Sequence, residues 1–429
     1  MNIQKTLKIP LSCPVYRKYC SKIEENVYKP VKKSGKSHTT KINNFFRKDP
    51  DLAEIKEFIP EKYLDCKRKT LTDNLYLICA KIARRTVRHV MPAIKNNTNQ
   101  IVCETNAGLG FISSELLRKK IPLIRLYESC PEFREMLKDF DKEYKGKVEI
   151  FTKDLFLLHR YSWMDKIDHS NRVELLLKNV PRKKWTDEPC MTLIGPMSKI
   201  DFIKYLMRCL TLQSDIVTYG RVQIFAIMRP KFFTLLDASP KDNLHTYTWT
   251  TVLFQLFFDY ELLEKFDRDR FLPWETASNK SPKRYVDTID RNKMYLVKIN
   301  FKKDLPVPTE DLLPLYFFVQ HFFHRGRRRV IQTVEKWVPG GGLNIILPQL
   351  GHENYCQNMD IMTTFGELTP QQILGVFREM RCCDKYENSP FKAMIESQMM
   401  KLETIETDLH ENAILHKTLA EDIEVKINE

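Results

Sequence analysis

The sequence lacks the features that mark metal-binding and membrane proteins. Its 11 cysteines, scattered from Cys13 to Cys383, include no C-x-x-C pair. That scatter argues against a disulfide framework or a zinc site and favours a reducing compartment. No apolar run approaches the roughly 18 residues needed to span a bilayer. We therefore predict no metal and no membrane span.

Acidic residues are absent from the first 23 positions, where lysine and arginine are interleaved with apolar residues. This composition is typical of a mitochondrial transit peptide, although Pro10 and Pro14 would interrupt a long helix. A basic arm that touches nucleic acid is the competing interpretation. We predict that residues 1–48 form a transit peptide and basic arm, which implies a mitochondrial location.

The net charge of +14 is unevenly distributed. Residues 1–48 contribute +10 and the acidic residues 387–429 contribute −6, so residues 49–386 retain +10. A basic body favours a polyanionic partner over an acidic small substrate. A generally solubilising surface is the alternative.

Short apolar runs alternate with helical patterns through the centre of the chain, which predicts an α/β fold with a doubly wound sheet. The strand candidates are Ile101 to Glu104, Leu123 to Tyr127, Val148 to Phe151, Met191 to Ile194, Val222 to Met228 and Met294 to Phe301. The helix candidates are Leu75 to Val90, Ser113 to Lys119, Glu132 to Phe140, Ile200 to Leu212 and Trp249 to Phe258. These elements place one domain over residues 49–303.

Beyond Phe301 the pattern becomes helical, with candidates at Leu315 to Thr333 and Pro370 to Met380. We predict a small C-terminal helical domain over residues 304–386. Residues 387–429 follow as an acidic helical tail that is docked on the body or a partner, or is largely solvated. The connection from His159 to Glu188 is longer than usual for such folds, which is typical of functional or mobile insertions.

Polar residues and glycines follow three successive strands of the predicted sheet. Because the carboxyl ends of parallel strands form the ligand edge, we expect these residues to build a nucleotide-like cradle: Glu104, Asn106, Gly108, Gly110, Glu128 and Asp154. The glycines allow close backbone approach. Glu128 is placed to accept hydrogen bonds from the hydroxyls of a ribose, and Asp154 is placed to accept one from an adenine amino group. No basic group for a pyrophosphate is evident, which favours S-adenosylmethionine (SAM) over NAD.

The motifs ETNAGLG, LYES and KDLF, together with YTWTTVLFQLFFDYELL and HFFHRGRRRVIQTVEKW, resemble the KsgA-type ribosomal RNA adenine N6-dimethyltransferase family. Within that family they resemble the mitochondrial transcription factor B group. The resemblance extends from about Thr70 to about Phe377. It implies a SAM-dependent methyltransferase-like sheet over residues 49–303 and SAM as a cofactor that is retained or vestigial.

The resemblance implies two functions. One is an initiation factor in the mitochondrial matrix nucleoid that helps mitochondrial RNA polymerase to melt promoter DNA. The other is dimethylation of adenine in mitochondrial small-subunit rRNA. An assembly protein that uses its acidic tail is a third, blander alternative.

The sequence departs from the family where active members carry an Asn-Leu-Pro-Tyr-like motif. Here the segment reads TLIGPMSK, with Ile194 at the Asn position and Met197 at the Tyr position. The amide acceptor and the stacking ring that such chemistry requires are therefore missing. We predict no catalytic residues and weak or lost methyl transfer. In the family's Asn-Phe-Leu-x-Asp segment only Leu71 and Asp73 remain, and Leu71 is the implied cofactor contact.

Two basic clusters with neighbouring aromatic residues are predicted to bind nucleic acid, because cations suit phosphates and aromatic rings suit unpaired bases. They comprise Arg182, Lys183 and Lys184 beside Trp185, and Arg325, Arg327, Arg328 and Arg329 beside Phe322 and Phe323. The alternative for each is a solvated charged surface whose aromatic rings lie in the core.

Overall fold

A seven-stranded, mostly parallel sheet forms the centre of the protein. The computed structural model describes residues 46–47, 50–53, 55–64, 74–241, 246–273, 292–323, 328–346 and 359–400. Among these the strands are β1 (Tyr76–Leu77), β2 (Ile101–Thr105), β3 (Ile124–Tyr127), β4 (Val148–Phe151), β5 (Met191–Met197), β6 (Val222–Met228), β7 (Phe258–Asp267), β8 (Phe271–Leu272) and β9 (Lys293–Phe301). The predicted α/β doubly wound sheet is confirmed.

The strand order of the sheet is β4-β3-β2-β5-β6-β9-β7. Strands β2 to β6 pair in parallel, whereas β9 runs antiparallel to both β6 and β7. The order reverses at β2, which lies between β3 and β5. A ligand in such a sheet binds outside the carboxyl ends of the strands at this switch point.

Helices cover both faces of the sheet. Those before and within the sheet region are α1 (Pro50–Ala53), α2 (Glu61–Leu64), α3 (Ala80–Asn96), α4 (Phe111–Arg118), α5 (Pro131–Glu143), α6 (Leu158–Asp168), α7 (Arg172–Leu176), α8 (Asp201–Leu212), α9 (Pro230–Leu236) and α10 (Trp249–Phe257). Alternate residues of one strand enter two separate apolar clusters, as the period of a strand requires. Leu193 joins the cluster of α6 to α10, and Ile194 joins the cluster of α1 to α5.

Two local predictions are corrected by the structure. The helix predicted from Leu75 begins only at Ala80, because Tyr76 and Leu77 form β1, which pairs with β8. Strand β5 continues past Ile194 to Met197, since its last three residues pair with β6. Pro196 is tolerated there because the β2 side of the ladder has already ended at Ile194, so its missing N–H is not needed.

The remaining helices lie after β9 and form the C-terminal helical part. They are α11 (Leu312–Phe322), α12 (Val330–Trp337), α13 (Gly341–Ile346), α14 (Pro370–Arg381) and α15 (390–400). The single helix predicted from Leu315 to Thr333 is therefore two helices, separated by a stretch that includes residues 324–327, outside the described part. Phe391 of α15 is fully buried and Ile395 nearly so, which places α15 against the body rather than in solvent. No helix among the described residues has the length and apolar character to cross a membrane.

The long connection from His159 to Glu188 is folded in the structure. It carries α6 and α7, whose residues Leu158, Val173 and Leu176 are buried in the larger core cluster. The insertion thus has a structural role of its own, since it covers one face of the sheet.

Candidate functional site: an acidic cradle at the carboxyl edge of the sheet

The predicted acidic residues meet at the carboxyl edge of the sheet. Glu104 lies near the end of β2, Glu128 directly after β3, and Asp154 shortly after β4. All three side chains are buried, with at most 3% of their surface exposed. Neighbouring parallel strands end side by side, which explains why residues far apart in sequence share one site.

The loop after β2 has the left-handed backbone that a close turn requires. Asn106, Gly108 and Gly110 have φ angles of 55°, 55° and 70°. Asparagine tolerates this region better than most residues do, and glycine adopts it without strain. The loop also leads into α4, with Gly110 as the residue before its first turn.

Glu128 accepts three internal hydrogen bonds. It accepts from the backbone N–H groups of Gly108 at 2.8 Å and Cys130 at 2.7 Å, and from the Tyr76 hydroxyl at 3.1 Å. Burial raises the pKa of the Glu128 carboxyl to about 7, although these hydrogen bonds counteract the rise. Glu128 therefore holds the loop after β2 against the end of β3.

Glu104 is a second buried acid, and it points towards α4. It accepts a hydrogen bond from the Ser113 hydroxyl. Burial raises the pKa of Glu104 to about 8, and the negative charge of Glu128 adds to the rise. At neutral pH Glu104 is therefore largely protonated and carries little charge.

Asp154 caps the turn that follows β4. Its Oδ1 atom accepts from the Thr105 hydroxyl and from the Phe156 N–H, both at 2.9 Å. Burial raises the pKa of Asp154 above its usual value. Through Thr105 this acid ties the end of β2 to the start of the following turn.

The end of β5 closes the cradle on its remaining side. The Asn106 side-chain amide donates to the Pro196 carbonyl oxygen at 3.2 Å. Its own carbonyl oxygen, Oδ1, is buried and has no hydrogen-bond partner among the described residues. Ile194 and Met197, which stand at the Asn and Tyr positions of the family motif, are 0% and 1% exposed and belong to the two core clusters.

Gly195 leaves no room for any side chain. A Cβ atom built on it would stand 2.1 Å from the carbonyl oxygen of Thr105, and its φ angle is 154°. Moving the motif by one residue therefore cannot supply the missing amide. The backbone of β2, at Thr105, occupies the space that a side chain would need.

Tyr76 is a site residue that sequence reasoning missed. It lies in the segment before the first parallel strand, and its ring fills the position above Gly108, where a Cβ would meet the Tyr76 ring at 3.0 Å. The only sequence signal was its closeness to the family-like segment around Asp73. Leu71, the implied cofactor contact, lies outside the described residues.

The first predicted basic cluster lies at the opposite edge of the sheet. The Lys183 ammonium donates to Asn97 at 3.2 Å and to the Pro189 carbonyl at 3.1 Å, just before β5 begins. Trp185 packs on Phe301, with 5.2 Å between ring centroids. Arg182 and Lys184 are exposed. The aromatic ring of this cluster therefore belongs to the core, and its exposed cations lie far from the acidic cradle along the strand direction.

The second predicted basic cluster is described only in part. Arg328 and Arg329 are exposed at the start of α12, whereas Arg325 and Arg327 lie outside the described residues. Phe323 is buried and packs edge-on against Tyr247 at 5.2 Å. As in the first cluster, the described aromatic ring is a core residue.

Three exposed lysines flank the cradle and were not predicted. Lys153, Lys199 and Lys231 follow the carboxyl ends of β4, β5 and β6. Their common edge could have been inferred from the strand order, because each comes within three residues after a strand. Within the described part of the chain, no group of three or more His, Cys, Asp or Glu residues is placed to hold a metal ion.

This sheet order, with a glycine loop after β2 and acids after β3 and β4, defines an α/β protein of the methyltransferase-like class. Comparison with known proteins identifies the family. The model of the family described as ribosomal RNA adenine dimethylase matches residues 64–368. The chain belongs to this family.

The similar proteins agree with that assignment. A Drosophila melanogaster protein named "Dimethyladenosine transferase 2, mitochondrial" is 30% identical over 395 residues, covering 84% of this chain and 87% of that protein. A Mus musculus protein of the same name is 26% identical over 285 residues, covering 63% of this chain and 70% of that protein.

Among solved structures, the 23S rRNA methyltransferase ErmE matches with a TM-score of 0.44 at 13% identity, covering 71% of this chain and 99% of that chain. A putative RNA methyltransferase from Pyrococcus horikoshii matches with a TM-score of 0.26 at 14% identity, covering 51% of this chain and 83% of that one.

The family implies SAM, and the cradle fits it only in part. The unpartnered Oδ1 of Asn106 and the buried acids suit a ligand that carries donors and positive charge. The position that a ribose requires at Glu128 is taken by the hydroxyl of Tyr76. In this conformation Glu128 keeps one free acceptor position, whereas the two hydroxyls of a ribose use two.

Proposed function

We propose that this protein is a mitochondrial transcription initiation factor that assists mitochondrial RNA polymerase in promoter melting and initiation on mitochondrial DNA. In this role the methyltransferase-like fold serves as a scaffold for binding nucleic acid. The observation that carries the proposal is the end of β5, where Ile194, Gly195 and Met197 are buried in place of an amide acceptor and a stacking ring.

The chemistry of adenine methylation explains why this observation matters. The lone pair of an adenine amino group is delocalised into the ring, so the group needs a hydrogen-bond acceptor and a fixed orientation to react. Ile194 offers no acceptor and Met197 no ring. The fold is therefore retained while the groups that would activate the amino nitrogen are absent.

The distribution of charge supports a nucleic-acid partner. The exposed lysines Lys153, Lys199 and Lys231 lie at the carboxyl edge, where they suit phosphate contacts along a single strand. Arg182 and Lys184 at the other edge, and Arg328 and Arg329 on the helical part, offer further cationic positions. A single DNA strand that contacts more than one of these cationic positions would be stabilised in its separated state, away from its complement.

The proposed location is the mitochondrial matrix, at the nucleoid. Both relatives carry "mitochondrial" in their names, and the first 23 residues lack acids, as transit peptides do. The contact with mitochondrial RNA polymerase is implied by the resemblance to the transcription factor B group.

A SAM-dependent rRNA adenine N6-dimethyltransferase, acting on mitochondrial small-subunit rRNA, is the alternative. The family match and the unpartnered Asn106 Oδ1 within the cradle favour it. The blocked end of β5 and the Tyr76 hydroxyl on Glu128 oppose it.

Run-off transcription from a mitochondrial promoter with the cognate polymerase tests the proposal. We expect strong stimulation on duplex template and little on a pre-melted template, because the factor would supply melting. Equal stimulation on both templates, or none on either, would overturn the melting role. Incorporation of tritiated methyl groups from SAM into the rRNA hairpin, measured in parallel, would then support the alternative.

A further inference from the structure

The ribose position of the cradle is filled by a side chain of the protein itself. Tyr76 is 1% exposed, and its hydroxyl donates to Oε1 of Glu128 at 3.1 Å. Its ring covers the face of Gly108 on which a side chain would stand. Tyr76 therefore contacts both groups of the cradle that would receive a nucleoside, namely the Glu128 carboxylate and the backbone of Gly108.

Most of the hydrogen-bond acceptor positions of the Glu128 carboxylate are occupied by the protein itself. A carboxylate offers about four lone-pair positions. On Glu128, Cys130 and Tyr76 occupy two on Oε1 and Gly108 one on Oε2. The two vicinal hydroxyls of a ribose need two outward positions, and one remains. A nucleoside can therefore bind Glu128 fully only if the tyrosine hydroxyl leaves.

Tyr76 is held in place from several sides. Its ring packs edge-on against Tyr63 at 5.1 Å and against Phe133 at 4.7 Å. The Asn74 amide donates to its hydroxyl at 3.2 Å. Its backbone pairs with Leu272 of β8. Turning this side chain away would break up an aromatic cluster, so displacement is costly.

We propose that Tyr76 is an internal plug that occupies the ribose position and keeps SAM from binding appreciably to the wild-type protein. The buried acids and the glycine loop after β2 then hold the ends of β2, β3 and β4 together. Tyr76 occupies the position that a ligand would take. The proposal concerns access to the cradle and rests on the family assignment. Its test measures binding only, so it succeeds or fails independently of the initiation role.

Equilibrium binding of SAM and S-adenosylhomocysteine to the full chain, by calorimetry and by thermal shift, tests the plug. We expect Tyr76→Val to bind at least about tenfold more tightly than wild type, because it removes both the hydroxyl that occupies a lone pair of Glu128 and the ring that covers Gly108. Tyr247→Phe is the matched control. It removes a buried tyrosine hydroxyl that donates to the Leu368 carbonyl oxygen at 2.8 Å in the other core cluster, leaves the Tyr76 contact with Glu128 in place, and should bind like wild type.

A second variant keeps the test decisive if Tyr76→Val does not fold. Tyr76→Phe retains the ring and frees one lone pair of Glu128, so it should bind SAM about threefold more tightly than wild type. Adding Glu128→Gln to either Tyr76 variant should remove the gain. Wild-type affinity equal to that of both Tyr76 variants would overturn the proposal, because the tyrosine would then not compete with the ligand.

Discussion

Gly195 on β5 lies against the backbone carbonyl of Thr105 on β2, so closely that a Cβ atom would stand 2.1 Å from that oxygen. This contact fixes how near the two central strands approach at the ligand edge. It also makes position 195 unavailable to any residue except glycine.

Gly195→Ala should therefore be strongly destabilising. We expect a loss of about 3 kcal/mol or more in the free energy of unfolding, because the clash is with backbone and cannot be relieved by a side-chain rotation. Gly146→Ala is the control, since Gly146 also has a positive φ of 78° but no atom within 4 Å of the added Cβ. It should cost about 1–2 kcal/mol. If urea denaturation showed equal losses of unfolding free energy in the two variants, the Thr105 carbonyl would not crowd position 195.

Restoring the family motif should not restore methylation. In the double variant Ile194→Asn/Met197→Tyr, the amide replaces a fully buried side chain that packs in the apolar cluster with Phe225. We expect no gain in tritiated methyl incorporation and a loss of stability of about 2 kcal/mol or more. Ile194→Val, which preserves the apolar contact, is the control for stability. Methyl transfer well above wild type would mean that only these two groups were missing.

Most of the sheet could be predicted because β2 to β6 are short apolar runs, and their predicted limits agree with the structure to within one residue except at the end of β5. Strand β7 was not among the predicted strands. Only Phe258 and Phe266 of its ten residues are buried, so it is not an apolar run, and it follows α10 without a break at Phe258. Strands β1 and β8 have two residues each, too few for a periodic signal. Their existence depends on a pairing between distant parts of the chain.

The acids of the cradle could be predicted for a topological reason, since residues that end neighbouring parallel strands must lie together. Their hydrogen-bond partners could not. The contact of Tyr76 with Glu128 joins residues 52 positions apart, and the contact of Trp185 with Lys302 joins residues 117 positions apart. For Trp185 the basic, aromatic pattern suggested a base-stacking ring, but packing against Phe301 decides its place.

The buried Glu104 should make the protein less stable as pH rises. Its pKa is about 8 in the folded protein and 4.5 for the ordinary carboxyl. The folded state thus holds a proton that the unfolded chain has released, and the free energy of unfolding falls as pH rises through this interval. In Glu104→Gln we expect the fall between about pH 5 and about pH 8 to be smaller by roughly 3 kcal/mol. The hydrogen bond from Ser113 is preserved in this variant.

Denaturation in urea across this pH range measures the effect of Glu104. Glu135→Gln, which removes an exposed carboxyl beside Lys138, is the control for the loss of one acidic group. An unchanged slope in Glu104→Gln would show that Glu104 titrates at its ordinary pH and is not desolvated.

The carboxyl-edge lysines should carry a measurable share of single-strand binding. In the triple variant Lys153→Glu/Lys199→Glu/Lys231→Glu, we expect the slope of log affinity against log salt to become shallower by about 2, since each phosphate contact contributes about 0.7. Arg182→Glu/Lys184→Glu at the opposite edge is the comparison. Fluorescence anisotropy with a labelled oligonucleotide measures both. A larger effect in the comparison variant would show that the oligonucleotide binds at the cluster of Arg182 and Lys184, as the sequence predicts, rather than at the carboxyl-edge lysines.

The acidic tail should be separable from the fold only after residue 400. Removing residues 401–429 should leave run-off transcription close to wild type. Removing residues 389–429 also deletes the fully buried Phe391, which contacts Phe318 at 6.2 Å between ring centroids. We expect that deletion to lower the free energy of unfolding by about 3–5 kcal/mol, as loss of a core aromatic does. Full stability of the shorter chain would show that α15 does not belong to the core.

The pairing of β1 with β8 connects the cradle to a distant part of the chain. Tyr76 stands opposite Leu272, and the Ile78 N–H donates to the Arg270 carbonyl at 3.0 Å. The hydrogen bond of Tyr76 to Glu128 therefore depends on the placement of β8, so a change in the chain at residues 268–273 reaches the cradle through β1.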